Sequence, residues 1–316
     1  MAKRLLIDAD PGIDDALAIL LALAAPDLRL EGITIVPGNC SSQDGSRNAR
    51  KVLNLVGKHH IPVARGVERP LIQPLVIASE THGPTGLGYA ETPEPQQPED
   101  PRHAVDLLIE AALASPGEYT LVAIGPLTNL ALALRREPRL SGAFSQVIHM
   151  GGAIHTGGNV TPQAEFNVWC DPHAAHIVYH AGLPLTLVPL DVTYQCVLRQ
   201  KHVDHLLQFK SPVSRFIAGA TRFYIEFHHE YQAIDGCIIN DPLALALTFA
   251  PELVSCEEIY VDVDIAGGVS MGKTMGYFYK MGQDAPNMRV AMSVKPDAFL
   301  DLFIDRMELL CREYPD

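Results

Sequence analysis

The first feature of the sequence that could carry chemistry is a cluster of acidic residues near its start. Residues 8–15 read Asp-Ala-Asp-Pro-Gly-Ile-Asp-Asp, which places four carboxylates within eight residues. Such a cluster repels itself unless a hard cation neutralises it, and carboxylate oxygens are the ligands that calcium and magnesium prefer. One or two aspartates would be explained by a helix N-cap with solvated neighbours, but four of them predict a metal site.

Amide and acidic side chains recur in three later segments, each of which contains glycine. These residues are Asn39 in 37–40, Asn129 in 124–129, and Asn159, Glu165 and Asn167 in 150–167. The first two segments are also compatible with ordinary turns, and Asn159 alone could serve only the backbone of its own loop. Amides and a carboxylate that converge on one pocket suit a polyhydroxyl ligand, because they both donate to and accept from hydroxyl groups.

Short apolar runs rich in branched residues alternate with helical patterns along the chain. Strands are predicted at 5–7, 32–36, 119–124, 147–149 and 185–190, and helices at 14–24, 41–56 and 127–135. This alternation predicts an α/β fold with an open, mainly parallel Rossmann-like sheet and helices on both faces. Ligands of such sheets bind at the carboxyl ends of the strands, where the acidic cluster and Asn39 lie.

Three long segments interrupt this alternation. Residues 70–102 and 151–165 are rich in proline and glycine and predict functional or mobile loops, whereas 198–230 has a helical pattern. Near the C-terminus, extra edge strands are predicted at 258–264, 276–280 and 289–294, followed by a helix at 296–311. No repeat or linker divides the chain, so we predict a single domain over 1–316.

Composition limits the kinds of partner. The 316 residues carry a formal net charge of -13 and no lysine or arginine cluster, which argues against nucleic acid or a membrane surface and favours a small-molecule ligand. The six cysteines contain no C-x-x-C pair and indicate reduced thiols, which favours the cytoplasm. Because the first apolar run is short and the longest one, 16–25, falls below the roughly 20 residues of a membrane span, we expect a soluble protein without a signal peptide.

These motifs resemble those of the nucleoside hydrolase family. Asp-x-Asp-Pro-Gly-x-Asp-Asp is the family's N-terminal signature, and residues 8–15 match it throughout. Further matches run in family order at 37–39, 125–131, 150–153, 165–167, 171–172, 191–193 and 241–244. The resemblance implies the nucleoside hydrolase fold and Ca²⁺-dependent hydrolysis of the N-glycosidic bond of ribonucleosides to ribose and free base. It also implies a homotetramer or homodimer that acts in purine and pyrimidine nucleoside salvage.

The resemblance further implies a role for each matching residue. The Ca²⁺ ligands are Asp10, Asp15, Asp241 and the backbone carbonyl of Ile124, with water and two ribose hydroxyls completing the shell. The residues that contact the ribose are Asp14, Asn39, Asn159, Glu165, Asn167 and Asp241, with Met150 and Phe166 beside them. Asp10 is also the general base for the metal-bound water that attacks the anomeric carbon. Calcium-bound ribose hydroxyls would explain a demand for ribose over 2-deoxyribose.

One position departs from the family pattern. Many family members carry a histidine directly before the last motif, where it protonates the leaving base, whereas this chain has Asn240, which cannot act as a general acid. Candidate replacements near the mouth of the pocket are His82, Tyr224, His228, His229 and Tyr231. Our hypothesis is that His82, His228 or His229 donates the proton, and that Tyr224, Tyr231 and Asn240 contact the substrate. The loops expected at 81–88 and 224–235 determine the preferred base, which stays open.

Other interpretations of the same residues also stay open. One is a Mg²⁺ phosphohydrolase, indicated by Asp8-x-Asp10, although the amide-rich set suits uncharged sugar hydroxyls better than a phosphate. Asn240 also raises the alternatives of a non-catalytic nucleoside or ribose binder of the same fold and of a hydrolase of a modified nucleoside. His176 and His180 have the spacing of a metal-binding pair, but an exposed helix face explains them without a metal.

Overall fold

The computed structural model of the chain describes residues 2–278 and 285–316. Its strands are β1 (Lys3–Ala9), β2 (Leu28–Ile35), β3 (Val63–Arg65), β4 (Tyr119–Ala123), β5 (Phe144–Met150), β6 (Leu185–Val188), β7 (Val197–Leu198), β8 (Cys237–Ile238), β9 (Val254–Val263), β10 (Thr274–Tyr277) and β11 (Met288–Val294). Its helices are α1 (Ile13–Ala24), α2 (Ser42–Leu55), α3 (Ser79–His82), α4 (Ala104–Ala114), α5 (Thr128–Arg136), α6 (Phe166–Cys170), α7 (Pro172–Tyr179), α8 (Leu190–Thr193), α9 (Gln200–Leu207), α10 (Pro212–Gln232), α11 (Asn240–Ala246) and α12 (Pro296–Glu313). Within these described ranges, none of the helices is long and apolar enough to cross a membrane.

Nine strands form one open sheet in the order β10-β9-β11-β6-β5-β4-β1-β2-β3. The neighbouring strands from β11 to β3 are parallel, whereas the pairs β11–β9 and β9–β10 are antiparallel. β7 and β8 form a separate antiparallel pair. The predicted α/β fold, with an open, mainly parallel sheet and extra edge strands near the C-terminus, is confirmed. The strand predicted at 276–280 overlaps β10, and its residues 279 and 280 lie outside the described residues.

Helices cover both faces of the sheet. Side chains alternate along β1, so Leu5 and Ile7 pack in one apolar core with α1, α10 and α12, whereas Leu6 packs in a second core with α4, α5 and α7. The side chains of Leu5, Leu6 and Ile7 are all buried, and the burial of each stabilises the fold by about 1.5–3 kcal/mol. The two cores hold the strands in place and so position the residues at the strand ends.

The first helix begins directly after the acidic segment. The first turn of α1 carries Asp14 and Asp15, whose negative charge is favourable beside the positive end of the helix dipole. The Asp15 carboxylate accepts a hydrogen bond from the backbone N–H of Gly12 (3.0 Å), a donor that the helix itself leaves unpaired. The turn between β1 and α1 is therefore fixed by Asp15, one of the acids that could bind a cation.

The helical pattern over 198–230 is interrupted in the structure. α9 ends at Leu207 and α10 begins at Pro212, so one continuous helix is not formed. The hydroxyl of Ser211 accepts from the backbone N–H of Ser214 (3.1 Å) and caps α10, and proline suits the first helical position. A Ser-Pro pair is a signal for a helix start, and the sequence therefore contained the information for this break.

A buried histidine on β5 gives the stability of the fold a pH dependence. The Nδ1–H of His149 donates to the backbone carbonyl of Ala123 (3.1 Å), and its Nε2 has no hydrogen-bond partner in the described part of the chain. Burial lowers the pKa of His149 from 6.5 to about 4. In the unfolded chain His149 takes up a proton near its ordinary pKa of 6.5, whereas in the folded chain it does so only near pH 4. The free energy of unfolding therefore falls as the pH drops through this interval.

We expect the wild-type protein to lose about 2 kcal/mol more stability than His149→Gln between pH 7 and pH 5, because glutamine gains no proton in this range. Urea unfolding of both proteins at the two pH values, in excess calcium, measures the difference. Equal losses in the two proteins would show that His149 titrates at its ordinary pKa in the folded state.

Candidate active site

A cavity of about 560 Å³ opens where β1, β2, β4 and β5 end. The predicted site residues line it, with the exceptions of Asp10, Asp15 and His229. Asp10 and Asp15 are fully buried and contact Asn39, which does line the cavity. His229 is exposed on α10. The predicted residues that line the cavity are Asp14, Asn39, His82, Ile124, Met150, Asn159, Glu165, Phe166, Asn167, Tyr224, His228, Tyr231, Asn240 and Asp241.

Four buried carboxylates form the acidic part of the site. Asp14, Asp15 and Asp241 place one oxygen each within 4.8 Å of the others, a spacing at which one cation could contact all three. Burial is the largest cause that raises the pKa of Asp10, Asp14 and Asp241, and neighbouring carboxylates raise the pKa of Asp10 and Asp241 further. Buried acids of like charge are unfavourable unless they are protonated or paired, so the cluster favours a cation.

Asp10 is held from one side only. Its Oδ2 accepts from the backbone N–H of Asn39 (2.7 Å), whereas its Oδ1 is buried and has no hydrogen-bond partner among the described residues. A Cβ at position 38 would lie 2.2 Å from Asp10 Oδ2, so the close approach requires Gly38. Buried carboxylate oxygens without a partner are rare in folded proteins, and a cation or a water molecule would supply the missing partner.

Asn39 joins the end of β2 to the turn between β1 and α1. Its Nδ2 donates to Asp15 Oδ2 (2.8 Å), and Asp15 Oδ1 accepts from the backbone N–H of Asp10 (3.2 Å). Because a carboxylate only accepts, the bond to Asp15 fixes the orientation of the Asn39 amide. The side chains of Asp15 and Asn39 are therefore positioned before any ligand binds.

The first aspartate of the motif does not join this cluster. Asp8 accepts from Thr34 Oγ1 (2.6 Å) and Asn129 Nδ2 (2.9 Å), and it does not line the cavity. Burial raises the pKa of Asp8 to about 6. Asn129 also donates to the backbone carbonyl of Ile35 (3.0 Å). Asp8 and Asn129 therefore connect β1, β2 and the start of α5.

Glu165 and Asn167 are fixed by hydrogen bonds at the start of α6. The Glu165 carboxylate accepts from the backbone N–H groups of Gly152 (2.9 Å) and Asn167 (2.8 Å) and caps the helix. Asn167 Nδ2 donates to the backbone carbonyls of Ile124 (2.9 Å) and Met150 (3.1 Å). These bonds bring the ends of β4 and β5 to one wall of the cavity.

The glycine-rich segment before α6 is held by two further side chains. Asn159 Oδ1 accepts from the backbone N–H of Phe166 (2.8 Å). Asp191 accepts from the backbone N–H groups of Ile154 (2.8 Å) and His155 (2.7 Å). Asn159 thus satisfies the backbone of its own loop and also lines the cavity, so the two interpretations of this residue are compatible.

Aromatic and amide side chains hold Asp14 on the opposite wall. The Tyr224 hydroxyl donates to Asp14 Oδ2 (3.3 Å), and Asn240 Nδ2 donates to the same oxygen (3.1 Å). The Tyr224 ring contacts the rings of His82 and His228, with centroid distances of 5.3 Å and 4.4 Å. Asp14 is therefore positioned by residues of α10 and α11 that are distant in the sequence.

The two histidines of the cavity differ in which ring nitrogen carries the proton. His82 Nδ1 accepts from the backbone N–H of Ile13 (3.0 Å), so the proton is on Nε2, and burial lowers the pKa of His82 to about 3. The Nδ1–H of His228 donates to the backbone carbonyl of Tyr224 (2.8 Å), which leaves a lone pair on Nε2. Burial also lowers the pKa of His228.

The sequence that forms this cavity matches a known family over most of the chain. The family profile described as inosine-uridine preferring nucleoside hydrolase matches residues 5–301. The chain belongs to this family. The resemblance identified from the motifs is therefore confirmed, and all residues that line the cavity lie within the matched range.

Curated relatives and solved structures agree with this membership. The pyrimidine-specific ribonucleoside hydrolase RihA of Citrobacter koseri is 37% identical over 308 residues, which cover 97% of this chain and 98% of that protein. The RihA protein of Escherichia coli O8 is 37% identical over 309 residues, with 98% and 99% covered. The structure of a purine-preferring ribonucleoside hydrolase from Gardnerella vaginalis has a TM-score of 0.94 at 32% identity, with 98% of this chain and 99% of that chain covered. The chain is therefore a ribonucleoside hydrolase, which disfavours the phosphohydrolase and the non-catalytic binder.

The structure of this nucleoside hydrolase corrects the loop expected at 224–235. Residues 224–232 form the last turns of α10, and only the end of that segment is irregular. Tyr231 is 64% exposed and stacks on Phe227 with a centroid distance of 5.0 Å. The exposed face of this helix end carries His229, which explains why it lies outside the cavity.

Several lining residues of the hydrolase were missed from the sequence. They are Val160, Tyr194, Phe227, Gln232 and Ile238, together with residues 76–81. Tyr194 directly follows the 191–193 motif and Phe227 directly precedes His228, so both lie beside positions that were singled out. Residues 76–81 belong to the irregular 70–102 segment, where no periodic pattern indicates which side chains face a ligand.

Proposed function

We propose that this ribonucleoside hydrolase depends on Ca²⁺ and uses water to cleave the N-glycosidic bond of ribonucleosides, which releases ribose and free base. The observation that carries the proposal is the buried carboxylate cluster beside the cavity, in which Asp14, Asp15 and Asp241 place one oxygen each within 4.8 Å of the others. Ribose release before and after removal of calcium tests the proposal. We expect release to stop without calcium and to return when calcium is added.

The donor atoms around the cluster fit calcium. Asp15 and Asp241 offer carboxylate oxygens of the group described above, and Asp10, whose backbone N–H donates to Asp15, offers its Oδ1. Ile124 offers a backbone carbonyl, which keeps a second lone pair beside the hydrogen bond from Asn167. Calcium prefers such all-oxygen ligand sets and tolerates irregular geometry. When bound, it would lower the pKa of a water molecule and so supply a stronger nucleophile.

In this proposal Asp10 takes the proton from the attacking water. Its Oδ2 is fixed by the backbone N–H of Asn39, and its Oδ1 receives no hydrogen bond from the described residues. Burial and neighbouring acids raise the pKa of Asp10, and a bound cation would lower it again, so that the carboxylate would be deprotonated and able to accept a proton. The positive charge that develops on the sugar ring during glycosyl transfer is stabilised by the surrounding carboxylates.

The ribose is bound by side chains that are already positioned by the protein. Asp14 is held by Tyr224 and Asn240, and Glu165 is held by backbone N–H groups. We propose that the ribose contacts Asp14, Asn39, Asn159, Glu165, Asn167 and Asp241, with Met150 and Phe166 beside it. Because these groups need little rearrangement, they favour one orientation of the sugar.

The proton for the leaving base comes from a cavity histidine in this proposal. His82 and His228 line the cavity, whereas His229 does not. The neutral ring of His82 offers only its Nε2–H, which is a weak acid. His228 has a lone pair on Nε2 that can take up a proton and pass it to the base, so the geometry favours His228. Burial lowers its pKa, and the nearby charge of Asp14 opposes that shift.

We expect His228→Ala to lower kcat by roughly 100-fold or more, in the range of general acid catalysis, and His82→Ala and His229→Ala to cost less. Steady-state kinetics with a ribonucleoside measures the effect. A riboside with a nitrophenol leaving group serves as the matched control, because that group departs without protonation and the variant should then lose much less activity. If alanine changes at all three histidines leave kcat intact with the ribonucleoside, the hypothesis is wrong.

The cellular setting follows from the resemblance and the cysteines. We propose that the enzyme is a homodimer or homotetramer of the cytoplasm that acts in purine and pyrimidine nucleoside salvage. All six cysteines are free and five of them are buried, which supports a reducing compartment. The relatives named above are pyrimidine-specific and purine-preferring, so a substrate panel for this enzyme needs both kinds of base.

A further inference from the structure

A second group of potential metal ligands lies near one edge of the sheet. His176 lies in α7, His180 directly follows that helix, and Asp262 lies in β9. The described lining of the active-site cavity includes none of the three. One ring nitrogen from each histidine and one oxygen of Asp262 lie within 4.8 Å of one another. The group therefore has the composition of a two-histidine, one-carboxylate metal site.

Helix and strand geometry bring these side chains together. Residues four apart on a helix share a face, and α7 packs against β9, so both histidines meet Asp262. His176 Nδ1 lies 3.0 Å and His180 Nε2 lies 3.8 Å from the same oxygen of Asp262, and the ring centroids are 4.3 Å apart. Ligand atoms around a tetrahedral zinc ion lie about 3.3 Å apart, so small side-chain movements suffice.

The ring nitrogen of His180 that faces this group is unprotonated in the neutral ring, and its lone pair accepts a hydrogen bond that a metal ion would replace. Its Nδ1–H donates to the backbone carbonyl of His176 (2.8 Å), so Nε2 carries no proton in the neutral ring. A hydrogen bond to the other ring nitrogen is common for metal-binding histidines, because it fixes the tautomer and orients the ring. The Tyr260 hydroxyl lies 3.1 Å from the same Nε2. The three side chains are about one-third exposed, so an ion and its water can reach them.

We propose that His176, His180 and Asp262 bind a divalent transition-metal ion, with Zn²⁺ as the probe, at a site separate from the carboxylate cluster. Imidazole nitrogen suits zinc, whereas the buried all-oxygen cluster suits calcium. Excess Ca²⁺ therefore occupies the cluster and leaves the histidine site empty. The net charge of -13 favours the approach of a cation to either site.

An ion at this site joins α7 to the edge of the sheet. Asp171 caps α7, and its carboxylate also accepts from the backbone N–H of Leu71 (2.8 Å) and from the Thr128 hydroxyl (2.8 Å). α7 follows α6, which carries Asn167 of the cavity wall. Because the three ligands meet in the folded chain, an ion that binds them together stabilises this part of the enzyme against unfolding.

The test measures Zn²⁺ binding to the full chain by calorimetry in excess Ca²⁺. We expect the wild-type chain to bind one zinc ion and to melt at a higher temperature in its presence. His176→Gln and His180→Gln should each lower the zinc affinity by roughly 10- to 100-fold or more, because each removes a ligand. His59→Gln is the matched control, since His59 is exposed near β3 at the opposite edge of the sheet.

Two results would overturn the proposal. One is a wild-type chain that takes up no zinc in excess calcium, and the other is unchanged zinc affinity in both histidine variants. Melting temperatures without zinc show whether each variant folds. Asp262→Asn, which removes the charge and keeps the shape, provides a further variant should a helix substitution misfold, and it too should bind zinc more weakly than the control.

Discussion

Asp10→Asn is expected to lower kcat by roughly 100- to 10,000-fold, the range that a general base contributes. The asparagine keeps the shape of the side chain but cannot accept a proton from water. Its oxygen can still accept from the backbone N–H of Asn39, so the local fold should survive. Steady-state ribose release at saturating calcium measures the loss, and calorimetry reports whether calcium still binds.

Asp8→Asn is the matched control for this substitution. Asp8 belongs to the same motif and is equally buried, yet it does not line the cavity, and its pKa is raised to about 6 by burial. A neutral amide should therefore fit its site, and kcat should stay near the wild-type value. If Asp10→Asn retains activity within about tenfold of wild type while calcium is bound, Asp10 is not the general base.

Removal of the 2′-hydroxyl from the substrate should have a comparably large effect. We expect kcat/KM to fall by roughly 10,000-fold for the 2′-deoxy form of the preferred nucleoside, because a site that pairs a hydroxyl leaves buried polar groups unpaired without it. In the proposed binding mode those groups would be the acids and amides around the cavity, including Asp14, Glu165 and Asn167. The 2′-deoxy substrate would also lack a hydroxyl that the proposed calcium ion binds, which would lower kcat/KM further.

The ribonucleoside without its 5′-hydroxyl is the control for the deoxy substrate. It keeps both hydroxyls that the proposed calcium ion binds, so it should lose much less activity than the 2′-deoxy form. Similar kcat/KM values for the ribonucleoside and its 2′-deoxy form would contradict binding of the ribose through the calcium ion.

The sheet could be predicted from the sequence because its central strands carry strong local signals. β1, β2 and β4 are apolar runs followed by helical patterns, and their order fits a parallel sheet. β3, β7 and β8 have two or three residues each, which is too short for any periodic pattern. The break before Pro212 was missed because the helical pattern continues on both sides of a cap that involves only a few residues.

The residue types of the site could be predicted, but their division into roles required the tertiary structure. The motif groups four aspartates, whereas the structure separates Asp8, whose partner Asn129 lies 121 residues away in the sequence. Likewise, Asp14 is held by Tyr224 and Asn240, which are 210 and 226 residues distant. Local sequence patterns do not indicate that the end of α10 packs over the cavity. They therefore could not show that His228 lines the cavity whereas His229 is exposed.

The most direct test of the calcium-dependent mechanism is ribose release from inosine, guanosine, adenosine, uridine and cytidine, measured before chelation, after chelation and after calcium is restored. Asp10→Ala is measured beside the wild-type enzyme. Release that stops on chelation, returns with calcium and is absent in the variant is the predicted result, and the fastest substrate identifies the preferred base. Release that continues at the same rate in the chelated enzyme would contradict the role proposed here for calcium and the buried carboxylates.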